Sequence, residues 1–348
     1  MALLARLLRW LGRRWALLLA FALLLALVLL QSDELAALLR IFANSLWQWV
    51  LIAAVGQLAY FWLYALLYQQ GFAAVGVSSS VRRILPPLFA SMFAKMIVPS
   101  GAAAVPLFAG ELSGPGQSVA LVAEGVLVVL VADLLTALPM LALALLYLSS
   151  RGVLESYQVV ITALFAMVSL AFGGLIVLGR RRPSLLRQLF RSVQRLVNGF
   201  AMRVRQPRPL PLRWAEDNAN QYIEAAQGLS SGRRRFVIAA LELAALTHVV
   251  EIASLYPVTQ AVGWPLGPGP LTAALAMDTA FSVVNLVPHG LGIAEGAIAL
   301  VLVTLGVSAE RALAIAIIFR GLNVWLPVLV GFVLLRQMRS LGGDGRQR

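Results

Sequence analysis

The chain has 348 residues, of which 60% are hydrophobic and 12% charged, with a mean hydropathy of +0.86. Soluble globular domains carry about 25% charged residues, so this composition predicts a polytopic membrane protein and leaves no stretch for a separate soluble catalytic domain. The formal charge of +13, from 28 Lys and Arg against 15 Asp and Glu, comes from arginines set beside apolar runs. There they orient the chain and contact anionic lipid, so no nucleic-acid partner is expected.

The first predicted element follows Arg6, Arg9, Arg13 and Arg14 as an apolar run over 15–30. No small-residue cleavage site follows it, so it reads as an uncleaved first span. A spanning helix needs about 20 apolar residues, and the next spans are predicted at 41–68, 117–148, 157–179, 236–262 and 311–335. Two apolar stretches are left over, 84–110 and 271–306, each broken by a Pro-x-Gly: "IVPSGAAAVP" and "LVPHGLGIAEG".

Were 84–110 a single span, Arg180, Arg181 and Arg182 would fall on the opposite side from Arg82 and Arg83, against the positive-inside rule. A re-entrant hairpin turning at Pro99-Ser100-Gly101 removes the conflict, and the same rule makes 271–306 a hairpin entered from the other side. The expected fold is therefore an all-α integral membrane domain covering 1–348, with about six full transmembrane helices and two re-entrant hairpins. It contains one repeat at about 41–148, a cytoplasmic basic linker at about 180–235, and an inverted second repeat at about 236–335. Both termini are expected in the cytoplasm, in a bacterial cytoplasmic membrane.

Within the linker, "SLLRQLFRSVQRLVNGF" (184–200) gathers Leu185, Leu186, Leu189, Phe190, Val193, Leu196, Val197 and Phe200 on one helical face. It reads either as an interfacial amphipathic helix on an anionic leaflet or as a helix packed on the ends of the bundle.

Ionisable residues fall inside the predicted membrane region at Lys95, Glu124, Asp133, Glu242, His248, Glu251, Asp278, His289, Glu295 and Arg320. A charge at the bilayer centre costs about 2.5–3.5 kcal/mol on insertion scales, so each needs a partner, water or a changed protonation state. After Gly290 and Gly292 the chain can restart as a half-helix whose free amides offer an anion site, with Arg320 supplying a fork of donors for a lipid phosphate. Alternatively Glu295 caps that half-helix and pairs with Arg320. Lys95 and Ser100 hold the corresponding place on the first hairpin, Lys95 either favoured by a helix C-terminus or snorkelling to an interface.

His248 and Glu251 share a helical face at i,i+3. They read as a polar interhelical contact, a proton relay with Glu124 and His289 as further candidates, or half of a metal site. His289 reads equally as a simple turn residue. Two histidines, no cysteine and no HExxH give little support for a metal, no catalytic motif is present, and no cofactor is expected.

The stretch "VPHGLGIAEGAIALVLVTLGVSAERALAIAIIFRGLNVWLPVLVGFVLL" (287–335) resembles the C-terminal signature of the lysylphosphatidylglycerol synthase transmembrane-region family, the flippase-domain or UPF0104 family. The resemblance rests on Pro288, Gly290, Gly292, Glu295, Gly296, Gly306, Arg320, Pro327 and Gly331. It implies a membrane module that translocates lipids or supports their modification, without the soluble aminoacyl-transferase domain. The first half departs from the family pattern: an Arg that often follows the first-half Glu is Gly125 here.

The expected function is thus a flippase-like transporter for an anionic phospholipid or a polyprenyl-linked lipid. The alternative is a membrane-embedded enzyme or accessory protein in hopanoid or glycolipid biosynthesis, or one that works beside a lipid-modifying enzyme partner.

Overall fold

The computed structural model describes residues 41, 43–97, 104–112, 119–203, 211, 213–228, 233–284 and 293–335. The first predicted span and both predicted hairpin tips lie outside the described residues. All the regular elements described are helical.

Five helices are long and apolar enough to cross a membrane, and they coincide with the five remaining predicted spans. The first, α1 (Trp47–Val75), has 29 residues, about 43 Å at 1.5 Å per residue. One face of it, Leu51, Val55, Leu58 and Trp62, is more than half exposed, as lipid-facing side chains are. It ends at Gly76, whose φ of 91° lets the Val77 amide reach back to the Phe72 carbonyl. A side chain at Gly76 would also meet the Arg233 guanidinium, a cation where the helix dipole favours one.

Two shorter helices follow, α2 (Val81–Ile97) and α3 (Ala104–Leu112). The next two long helices are α4 (Val119–Ser150) and α5 (Ser156–Arg181), the latter opened by a reciprocal capping box between Glu155 and Gln158. Then come α6 (Pro183–Arg203), α7 (Trp214–Gly228), the long α8 (Arg234–Ala261), and two short helices, α9 (Pro268–Val284) and α10 (Ile293–Thr304). The last span is composite: α11 (Ala309–Arg320), a π-helical turn (Gly321–Trp325) and α12 (Leu326–Leu335).

The largest helix pairing is between α1 and α8, and they run antiparallel. Leu46 at the start of α1 donates its amide to Ala261 at the end of α8, 3.1 Å, while Gly76 at the other end meets Arg233. Midway, a Cβ on Gly56 would lie 2.9 Å from the Ser254 Cβ, so the crossing requires a residue without a side chain.

Two further crossings have the same cause. Gly71 of α1 and Gly125 of α4 interlock, the latter against Phe72, so the Gly125 departure from the family pattern matches a site with no room for an arginine. Gly331 of α12 lies directly against the Phe89 carbonyl of α2, beside a Phe93–Phe332 ring contact at 5.2 Å. Elsewhere α9 packs on α4.

Long helices alternate in direction, which sorts their ends. Arg82, Arg83, Arg180–Arg182 and Arg233–Arg235 gather at one end, here the basic end; Trp47, Trp264 and Arg311 stand at the opposite end. At the basic end α6 packs on α7, which rests on α5, α4 and α1. Leu186 is fully buried and Phe190 meets Trp214 at 5.7 Å, yet Leu185, Leu189 and Leu196 remain exposed. The 184–200 helix therefore packs on the bundle through one edge and keeps part of its apolar face open.

Candidate functional site

The apolar interior consists of two main clusters. One gathers Ala53, Ala137, Leu255, Leu275 and Phe319, and the other gathers Ala65, Leu88, Ala132 and Ala244. The polar residues lie at the seam between them. Asp133 falls between Ala132 and Ala137 on α4, His248 and Glu251 between Ala244 and Leu255 on α8, and Tyr60 between Ala53 and Ala65 on α1. Each sits near the middle of its helix, where hydrocarbon contact is costliest for a polar group.

Three contacts tie the seam together. His248 Nε2 lies 3.3 Å from the backbone carbonyl of Asp133 and 3.7 Å from its carboxylate Oδ1. Asn323 Nδ2 donates to Glu251 Oε1 at 2.7 Å. Arg320 Nη1 stands 3.9 Å from Asp278 Oδ1, with side chains only 8% and 13% exposed.

Behind Glu251, Gln57 Nε2 donates to Ser254 Oγ, and Ser254 Oγ donates to the Glu251 carbonyl, both 2.7 Å. The carboxylate-bearing turn is thereby held to α1. Tyr60 lies within the electrostatic reach of Glu251, Asp133 and Asp278, and stacks on Tyr64 with ring centroids 5.7 Å apart.

Local sequence explains how Asn323 reaches Glu251. Pro327 has no amide hydrogen, so the Asn323 carbonyl loses its i+4 partner. Just before it the helix widens: Leu326 donates its amide to the Gly321 carbonyl, an i→i+5 bond. Such π turns tend to occur at functional sites, and this one separates Arg320 from Asn323 so that they address different helices, α9 and α8.

The predicted site residues fare differently. Arg320 is buried, with Asp278 3.9 Å from it; the alternative pairing of Arg320 with Glu295 falls on a side chain outside the described residues. Glu295 belongs to the first turn of α10 and Lys95 to the last turn of α2, but their side chains, with Ser100, His289, Gly290 and Gly292, lie outside the described residues. His248 and Glu251 share a face but take separate partners. Glu124 is buried on α4, 4% exposed, nine positions from Asp133. Among the described residues no three His, Asp or Glu side chains gather to hold a metal.

Asn323, Gln57 and Tyr60 were not legible as site residues. The available signal was an amide three residues after a membrane arginine and four before a proline.

Fold and site together define a multi-pass helical membrane protein with a charged, hydrogen-bonded seam across its middle. Residues 2–331 match the family model described as the lysylphosphatidylglycerol synthase TM region, so the chain belongs to that family, a membrane domain of the flippase type. Comparisons with curated proteins and with solved structures returned no match.

Proposed function

We propose that the protein moves a lipid with a phosphate-bearing head group, an anionic phospholipid or a polyprenyl-linked lipid, between the leaflets of a bacterial cytoplasmic membrane. The observation that carries this is the buried Arg320 at 3.9 Å from Asp278. A guanidinium at mid-depth is a planar fork of donors that matches a lipid phosphate, and a phosphate entering the seam competes with Asp278 for it.

The reading takes the two pairs of short helices as re-entrant hairpins of an inverted repeat. With 17 residues each, α2 and α9 reach about 25 Å, short of the roughly 30 Å hydrocarbon core. Their packing is exchanged between halves, α2 on the last span of the second repeat and α9 on the last span of the first, as a two-fold relation requires. The antiparallel pairing of α1 with α8 agrees with opposite orientations. The positive-inside rule then sets the basic end, with both termini, in the cytoplasm.

His248 beside Asp133, with Glu251 one turn away and Glu124 further along α4, supports proton coupling of transport. An enzyme using His248 and Glu251 on one reacting atom is less well supported, because the two side chains are held by partners on different helices. A lipid-modifying enzyme remains the expected neighbour in the membrane.

Proteoliposomes with head-group-labelled phosphatidylglycerol test the reading. Arg320→Ala, checked as folded by size-exclusion chromatography, is expected to lose translocation; translocation at the native rate by that variant would overturn it.

A further inference from the structure

A second cationic position lies far from the seam, at the end of the bundle opposite the basic one. There the chain forms an open cavity of about 390 Å³ lined by Ile41, Asn44 and Leu46 before α1, by the 261–263 turn that ends α8, and by Arg311 in the first turn of α11. Ligand pockets typically measure about 300–1,000 Å³, so the space suits a head group with the start of its chains.

The chemistry of the wall is one-sided. Arg311 is half-buried, and among the described residues no carboxylate pairs with it. Its guanidinium carbon instead stands over the Trp264 indole, 4.7 Å from the ring centroid, a cation–π contact that holds the side chain beside the cavity. Asn44 adds an amide, while Ile41 and Leu46 supply apolar surface. Trp264 and the neighbouring Trp47 are 37% and 58% exposed, as expected of tryptophans at the level of lipid head groups. A fixed arginine fork, an amide and an apolar floor at that depth are what a phosphate on an acyl chain requires.

We propose that this cavity binds the phosphate group of a lipid at the leaflet opposite the basic end, with Arg311 as the anion-holding residue, Trp264 as its positioning residue, and Asn44 as a second donor. Under the transport reading above, on which the identity of the lipid rests, it is the station a lipid occupies before or after passing Arg320. Binding itself needs no transport.

The test is native mass spectrometry of the purified full chain titrated with short-chain phosphatidylglycerol, short-chain phosphatidylcholine and inorganic phosphate. Arg311→Gln is expected to weaken phosphatidylglycerol binding about tenfold, the loss of one charge-assisted pair, and to do so in an Arg320→Gln background as well. Asn44→Asp, at an exposed position that does not threaten folding, is expected to weaken it similarly by placing a negative charge in the wall. Competition by inorganic phosphate at equal concentration would identify the ligand as free phosphate; binding of the lipid alone would identify a head group. Equal phosphatidylglycerol affinity in wild type, Arg311→Gln and Asn44→Asp overturns the site. Loss of translocation in Arg320→Ala with unchanged Arg311-dependent binding, or the reverse, separates this proposal from the transport reading.

Discussion

Asn323 reaches from the π turn after Arg320 to donate its side-chain amide to Glu251 on α8 over 2.7 Å. This bond joins the composite last span to the helix that pairs with α1, so the seam is built from both halves of the chain. Removing a donor from a buried carboxylate costs about 1–3 kcal/mol. Asn323→Ala is therefore expected to lower the unfolding temperature in detergent and to slow lipid translocation together; an unchanged melting profile would show that the bond contributes nothing to stability.

The Arg320–Asp278 pair has a directional signature. Breaking a buried ion pair from one side strands the other charge and costs about 3–5 kcal/mol. Arg320→Ala should therefore be less stable than the double variant Arg320→Ala/Asp278→Asn, in which no charge is left behind. Stability should return in the double variant while translocation stays lost, which thermal unfolding and the proteoliposome assay read separately.

Gly331 lies so close to the Phe89 carbonyl that its contact is with backbone, which cannot rotate away. Even one added methyl forces α12 from α2, and overpacking of this kind costs about 1–3 kcal/mol. Gly331→Ala is expected to destabilise the protein by that order. A matched Gly174→Ala on α5, where a Cβ meets nothing within 4 Å, should be neutral or slightly stabilising in the same melting experiment.

The chain contains no cysteine, which makes single-cysteine labelling clean. Ser80→Cys precedes α2 and Ser113→Cys follows α3, so both should react with a membrane-impermeant thiol reagent from the same side of an oriented vesicle. Labelling from opposite sides would mean that 84–110 crosses the membrane, and the inverted-repeat reading would fail.

The membrane class, the five described spans and the two short broken stretches were determined by the sequence alone, because hydropathy and span length are local properties and a 30 Å hydrocarbon slab imposes them residue by residue. The buried position of Arg320 was equally legible, since an isolated charge in an apolar run has to turn inward. Which group meets which was decided only by the tertiary structure. Asp278 comes within 3.9 Å of Arg320, and nothing in the sequence spacing singles it out among the carboxylates of the apolar stretches. Asn323 meets Glu251 because a π turn re-aims one helix toward another distant in sequence. Gly56, Gly125 and Gly331 set how closely those helices approach, and a glycine in an apolar run does not announce which neighbour's backbone it will touch.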